Sequence, residues 1–228
     1  MKSLYFRLLI LLCGYLGFPQ QDSLSSIYTS YKEDQFYIGT TYNLLGNKPE
    51  DLSQKGFSSG IHFGIIKDIP LNKEGNIALG IGLGYSLNSF NQNLFISVDD
   101  NDVVSYEILE SSYTKNKFST QLIELPFEFR WRTSTATEYK FWRIYTGFRI
   151  GYMVNSIAKH NGDLGVFKFK TIEDFNKFQY GLTLSAGYNT WNLHLYYGLN
   201  PIFSSNATLE GEPIDSNVLK VGLMFYIL

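Results

Sequence analysis

Thiol chemistry is almost missing from the 228 residues, because Cys13 is the only cysteine. A lone cysteine can build neither a disulfide framework nor a thiolate metal site. Long apolar runs are also scarce. The run from Leu8 to Phe18 is about eleven residues, and a helix needs roughly twenty to cross a bilayer. Nothing after Phe18 approaches that length, so the rest of the chain holds no candidate for a helical span. A large net charge is missing as well. The formal value is −2 at pH 7, which gives no reason to expect a nucleic-acid partner.

Lys2 and Arg7 precede the apolar run, the arrangement of a secretory signal peptide, with cleavage expected within Gly17–Asp22. The competing readings are an N-terminal anchor and a lipid-modified Cys13, but Leu12 is too large for the residue that normally precedes a lipidated cysteine. The expected division is a signal peptide over 1–21, a periplasmic segment over 22–34 and one domain over 35–228.

Aromatic residues make up 17% of the chain, a high share for a soluble protein. Residues 77–87 (IALGIGLGYSL) explain where they belong. A bulky apolar side chain stands at every odd position and a small one at every even position. Strand side chains alternate between two faces, so one face here is greasy and the other nearly bare. A half-buried soluble strand would carry polar residues on its second face. A greasy outside and a cramped inside fit a small transmembrane β-barrel.

The same period recurs in eight segments, 35–44, 57–67, 76–88, 119–131, 140–155, 177–189, 191–200 and 217–228. The connections after the odd segments run to about 12, 30, 21 and 16 residues, while those after the even ones are about 8, 8 and 1–2. Outer-membrane barrels have short periplasmic turns and long extracellular loops, so the first strand runs outward and both termini are periplasmic. The fold expected is therefore all-β, an eight-stranded antiparallel up-and-down transmembrane barrel. A soluble lipocalin-like barrel would bury its apolar face. In this chain Glu124, Glu128, Arg130, Arg143, Arg149 and Lys220 lie on the face opposite the apolar one. Tryptophan supports the membrane reading. Trp131, Trp142 and Trp191 fall at periplasmic strand ends on the outward face and, with Phe36, Tyr188 and Phe225, form an aromatic girdle. Phe57, Tyr85, Tyr152, Phe178 and Tyr197 supply the extracellular counterpart.

Eight strands leave a lumen that side chains just fill. Segments two and three offer His62 among glycines, a bare wall; segments four and five offer long charged arms that lean into the space. With a turn near Ala136, either Glu128 faces Arg143 or Glu124 faces Arg149, depending on a two-residue shift in register. Enclosed carboxylates and guanidiniums must pair, because either one alone is costly. These six residues form a lumen ion-pair network, read as a structural plug in preference to a proton or solute path.

Catalysis and metal binding find little support. His62 and His194 face inward on strands that are not neighbours. His160 falls in a loop near Asp163, with no serine at a defined strand position beside these histidines. No cofactor is expected. In the long loop 89–117, two β-prone stretches flank Asp99-Asp100-Asn101-Asp102, which reads as a hairpin standing above the membrane. Its acidic turn could hold calcium but reads better as a solvated turn. Asn93, Phe95, Asp99, Asp102 and Tyr106 on it are the candidate contact for a partner.

Residues 123–130 (IELPFEFR) are similar to the "E-(I/L)-P-L" strand of the PorT-like small outer-membrane barrels of the Bacteroidota. The strand from Trp142 to Tyr152 and the closing residues 218–226 (VLKVGLMFY) fit the same plan. The resemblance implies a non-enzymatic accessory subunit of an envelope complex, in type IX secretion or outer-membrane protein assembly. Its partners would be outer-membrane lipid, lipopolysaccharide and other envelope proteins. A small-solute porin and a lipid A-modifying enzyme are the alternatives.

Overall fold

A computed structural model describes residues 34–133 and 141–227. The expected signal peptide, nearly all of the segment 22–34 and the turn near Ala136 lie outside the described residues. Thirteen strands follow in order: β1 (Gln35–Gly46), β2 (Ser59–Pro70), β3 (Ile77–Asn91), β4 (Leu94–Val98), β5 (Val104–Ile108), β6 (Tyr113–Arg132), β7 (Trp142–Gly162), β8 (Gly165–Lys170), β9 (Phe178–Tyr188), β10 (Trp191–Gly198), β11 (Thr208–Leu209), β12 (Glu212–Pro213) and β13 (Asn217–Ile227).

Eight of these close the barrel. The order β6-β3-β2-β1-β13-β10-β9-β7 returns on itself through a β6–β7 pairing, and every neighbouring pair is antiparallel. First and last strands meet along their length, from Phe36 opposite Ile227 to Gly46 opposite Asn217. No edge strand is left within the wall, as a lipid-embedded sheet requires. β4 and β5 form a separate hairpin and so do β11 and β12, while β8 extends only from β7.

The alternation sets which side chains meet lipid. Ile77, Leu79, Ile81 and Leu83 of β3 point outward, and Ala78, Gly80, Ser86 and Asn88 of the same strand are buried. Aromatic pairs mark both rims. At the short-turn end Trp142 packs on Tyr188 at 5.3 Å and Trp191 on Phe225 at 4.9 Å between ring centroids. Trp131 and Phe36 are exposed at the same end. Towards the long-loop end the pairs are Tyr42–Phe57, Phe63–Tyr85 and Tyr152–Phe178.

The bare wall is occupied by particular neighbours. A Cβ on Gly84 would run into the Tyr37 hydroxyl, and one on Gly80 would lie 2.7 Å from Arg130 Nε. Tyr37, reaching from β1, fills the space at Gly84, a place the sequence reading gave to charged arms. Pro126, inward on β6, carries no N–H for the ladder. The β3–β6 pairing is accordingly interrupted between Ile81–Phe127 and Gly84–Glu124, with the register the same on both sides.

Two expectations need correction here. β6 and β7 run well past the segments 119–131 and 140–155, to Tyr113 and Gly162. In β7 a β-bulge causes the discrepancy. Gln121 opposes Asn155 and Leu122 opposes Met153, so Val154 has no opposite number. An extra residue shifts every later side chain to the other face. Beyond the bulge Ser156, Ala158 and His160 are therefore buried, and His160 sits on β7 instead of in a loop.

Candidate functional site

The lumen holds two charged groups stacked along the axis. At the short-turn end Asp68 of β2 accepts from both Arg130 and Arg132 of β6. Arg130 Nη1 lies 3.0 Å from Oδ1, and Arg132 approaches both carboxylate oxygens, with Nη2 2.7 Å from Oδ2. Arg130 Nε also donates to Glu128 Oε2 at 3.1 Å, and Arg132 Nε to the Gly75 carbonyl at 2.8 Å. Arg130, Arg132 and Asp68 are almost wholly buried. The Arg130 guanidinium lies 4.6 Å from the Tyr145 ring, and Arg143 stacks 4.5 Å over Phe141.

Glu124 anchors the second group, higher in the barrel. Its Oε2 lies 3.1 Å from Arg149 Nη1 and 3.5 Å from His62 Nδ1. His62 Nε2 contacts Thr41 Oγ1 at 3.2 Å, and Lys220 Nζ stands 4.8 Å over the Tyr196 ring. Counting both groups, five buried cations (Arg130, Arg132, Arg143, Arg149, Lys220) face three buried carboxylates (Asp68, Glu124, Glu128). Among the described residues neither Lys220 nor Arg143 has a carboxylate within ion-pair distance.

Neither expected register occurs. Glu124 stands opposite Gly151 and Glu128 opposite Gly147, so within the lumen the only charged residues that face each other directly between β6 and β7 are Arg132 and Arg143. The Glu124–Arg149 pair forms on the diagonal, and Glu128 pairs within its own strand. Glycine opposite each carboxylate leaves room for these arms to turn sideways. Asp68 and Arg132 were missed because segments two and four were ended at 67 and 131. Each has inward parity, so extending either segment by one residue would have found it.

Ser185 was missed too. Its Oγ lies 2.7 Å from His194 Nδ1 on the neighbouring strand, and Tyr226 donates to the same oxygen at 3.2 Å. A serine does therefore stand beside His194 at a defined strand position, contrary to expectation. Both residues are sealed in the lumen, and His194 Nε2 meets no hydrogen-bonding partner among the described residues.

Above the charges lies an apolar roof that the period-two pattern gave no hint of. The upper inward positions of the wall, Leu45, Phe90, Phe118 and Val218, join Leu94 and Ile96 of β4 and the loop residues Leu52, Ile172, Phe175, Ile202, Phe203 and Ile214 in one buried cluster. Phe203 stacks on Phe175 at 4.8 Å and meets Phe118 edge-on at 5.4 Å. Asparagines hold the loops to one another. Asn116 Nδ2 donates to the Gln92 and Leu94 carbonyls, and Asn176 Nδ2 to those of Pro201 and Phe203. A side-chain amide can donate twice, which suits it to satisfying loop backbone shut away from water.

The β4–β5 hairpin belongs to this roof and does not stand clear of it. Asn93 is buried; it accepts from the Ser53 amide and donates to the Asp51 carbonyl. Phe95 packs on His160 at 4.9 Å. Tyr106 donates to Asp174 at 3.2 Å and lies edge-on to Phe203, and burial pushes its hydroxyl well above the ordinary phenol range. Of the five hairpin positions singled out, only Asp99 and Asp102 are at the exposed tip. Asp99 accepts from the Val103 and Asn101 amides, which hold its carboxyl below the usual range. Those bonds are what an Asx-type turn makes by itself. Among the described residues no group of three or more metal-ligating side chains is present.

Beside the hairpin is a cavity of about 900 Å³, with Glu50, Asp51, Glu107, Glu110, Glu210 and Glu212 around it and Tyr106, Leu109 and Leu209 among its apolar lining. The outer face thus presents carboxylates above a roof of hydrocarbon.

The model of the outer membrane protein beta-barrel domain matches residues 18–204. The chain belongs to that family, and the barrel is integral to the outer membrane. No curated protein matches it. Among solved structures, similarity is found to Ail, the attachment invasion locus protein of Yersinia pestis. The identity is 11% and the TM-score 0.32, over 86% of this chain and 99% of that one. A triple mutant of the Rhodopseudomonas blastica porin is similar at 8% identity and a TM-score of 0.22, over 86% and 100%. Likenesses at those TM-scores carry no argument of their own.

Proposed function

We propose that this protein is a non-enzymatic outer-membrane barrel whose lumen is filled by its own side chains, and that it serves as a structural or accessory subunit of an envelope complex. One observation carries the reading: the inward face is used up internally. Its lower half is engaged in ion pairs around Asp68 and Glu124, and its upper half is buried under the loop core around Phe203. A barrel with that interior offers its partners an outer rim and a lipid-facing wall. The resemblance of residues 123–130 to PorT-like proteins points to type IX secretion or outer-membrane protein assembly as the process served, and to other envelope proteins as the partners.

The test is purification of the full chain in mild detergent from its own envelope. Reproducible recovery with secretion or assembly components is the expected result, and recovery only as a free monomer would overturn the accessory role. Lipid A mass spectra taken before and after gene deletion should be identical. A mass change restored by the gene would overturn the non-enzymatic reading.

A further inference from the structure

Past the bulge, β6 and β7 continue upward and β8 joins the free side of β7, while β6 stays paired with β3 as far as Lys117 opposite Asn91, so the sheet rises above the lipid-facing band. Its inward face packs under the roof through His160 and Phe118. Its outward face carries lysine. Lys117 of β6 stands directly opposite Lys159 of β7, and Lys159 directly opposite Lys168 of β8. Lys115 and Lys170 occupy the next outward positions along β6 and β8. Directly opposed residues share a face with Cβ atoms about 5 Å apart, and like charges in that position destabilise a sheet. Burial and then the charges of Lys159 and Lys115 hold the Lys117 ammonium below its ordinary range.

No counter-charge is supplied from within. Among the described residues none of these five lysines has a carboxylate within ion-pair distance; Lys117 has a hydroxyl partner, donating to Ser89 at 3.2 Å. Lysine on an exposed edge strand also discourages pairing with another chain. That role accounts for Lys168 and Lys170 on β8, but not for Lys117 and Lys159, whose strands are paired on both sides.

Depth indicates what should neutralise the row. Tyr152, outward on β7, belongs to the upper aromatic rim. Lys159 follows it along a tilted strand, on the order of 15 Å higher. That level clears the hydrocarbon and lies among the phosphorylated sugars that the outer leaflet carries. The geometry points to a lysine row, Lys117–Lys159–Lys168 flanked by Lys115 and Lys170, that docks the phosphate groups of outer-leaflet lipopolysaccharide against the wall of the barrel. Its continuity with the lipid-facing face, and charges that the protein leaves unmatched, favour a lipid over a soluble ligand.

The experiment uses the full chain in detergent and purified rough-type lipopolysaccharide, intact or chemically dephosphorylated. A K117Q/K159Q/K168Q triple variant is compared with wild type, and K67Q at the opposite end serves as the control. Each lysine near an anionic lipid surface is worth about a factor of five, so the triple variant should bind intact lipopolysaccharide about a hundredfold more weakly. K67Q should match wild type, and dephosphorylated lipopolysaccharide should bind wild type as weakly as intact lipid binds the variant. In lipid-free detergent the triple variant should melt no lower than wild type, because it has lost only repulsion, and intact lipopolysaccharide should raise the melting temperature of wild type alone. Equal binding by a folded triple variant would overturn the proposal, as would equal binding of the dephosphorylated lipid. Tighter, lysine-dependent binding of soluble polyphosphate than of lipopolysaccharide would overturn the lipid as the occupant.

Discussion

In the lower lumen the inward positions hold Asp68, Glu128, Arg130 and Arg132, whereas in the upper lumen they hold Leu45, Phe90, Phe118 and Val218. One tube is thus closed twice, by opposite chemistry. The lower closure is built from wall residues alone, in which long arms from one strand occupy space that glycines leave on another. The upper closure needs chain from outside the wall, because hydrocarbon at a barrel mouth must be covered by something, and the loops carrying Phe175, Phe203 and the β4–β5 hairpin cover it. The lower half therefore depends on charges that cannot lose a partner, the upper half on apolar volume.

The sharpest way to break the comparison is to unbalance the lower half. Asp68→Ala deprives two buried guanidiniums of the carboxylate they share and should destabilise the barrel by about 3–5 kcal/mol. Loss of the heat-resistant band in detergent gels and a lower urea midpoint would register it. Phe203→Ala removes a comparable amount, about 3–5 kcal/mol, but from the roof. Limited proteolysis should find the loops opened while the barrel band survives; joint loss of both would mean that the two closures are one cooperative unit.

Gly84→Ala tests the packing between wall strands, since its methyl collides with Tyr37, and should cost about 1–3 kcal/mol. Adding Tyr37→Phe removes the hydroxyl nearest the clash and should recover part of the loss in the same urea titration. Acid gives the smallest effect and acts on the roof. Burial holds His160 below its ordinary value, so the fold favours the neutral ring. Its contribution stands above an ordinary imidazole value of about 6.5 and is lost as pH falls towards the lower folded value. Protease access to the loops should rise modestly between neutral pH and pH 5, and His160→Gln should flatten the response.

Much of the wall could be read in the residues, for a physical reason. A closed barrel in lipid makes each strand alternate, so Ile77 to Leu87 and Trp142 to Tyr152 show both faces directly. Partners in the lumen were less legible. Parity says that Glu124 and Arg149 point inward, but not that they meet on a diagonal, because that depends on register and on the glycine opposite each carboxylate. The roof was hidden altogether. Phe175, Ile202 and Phe203 sit in irregular loops where no period exists, and they acquire a meaning only once the barrel mouth brings them together. The bulge at Val154 concealed His160 in the same way, by changing the phase on which the pattern relied.

Planar-bilayer recording of the purified full chain tests the double closure most directly. A lumen filled by ion pairs and roofed by the Phe203 cluster predicts a flat baseline, without stable large conductance steps, in wild type and in K67Q alike. Reproducible, stable, large steps from wild-type protein would contradict it.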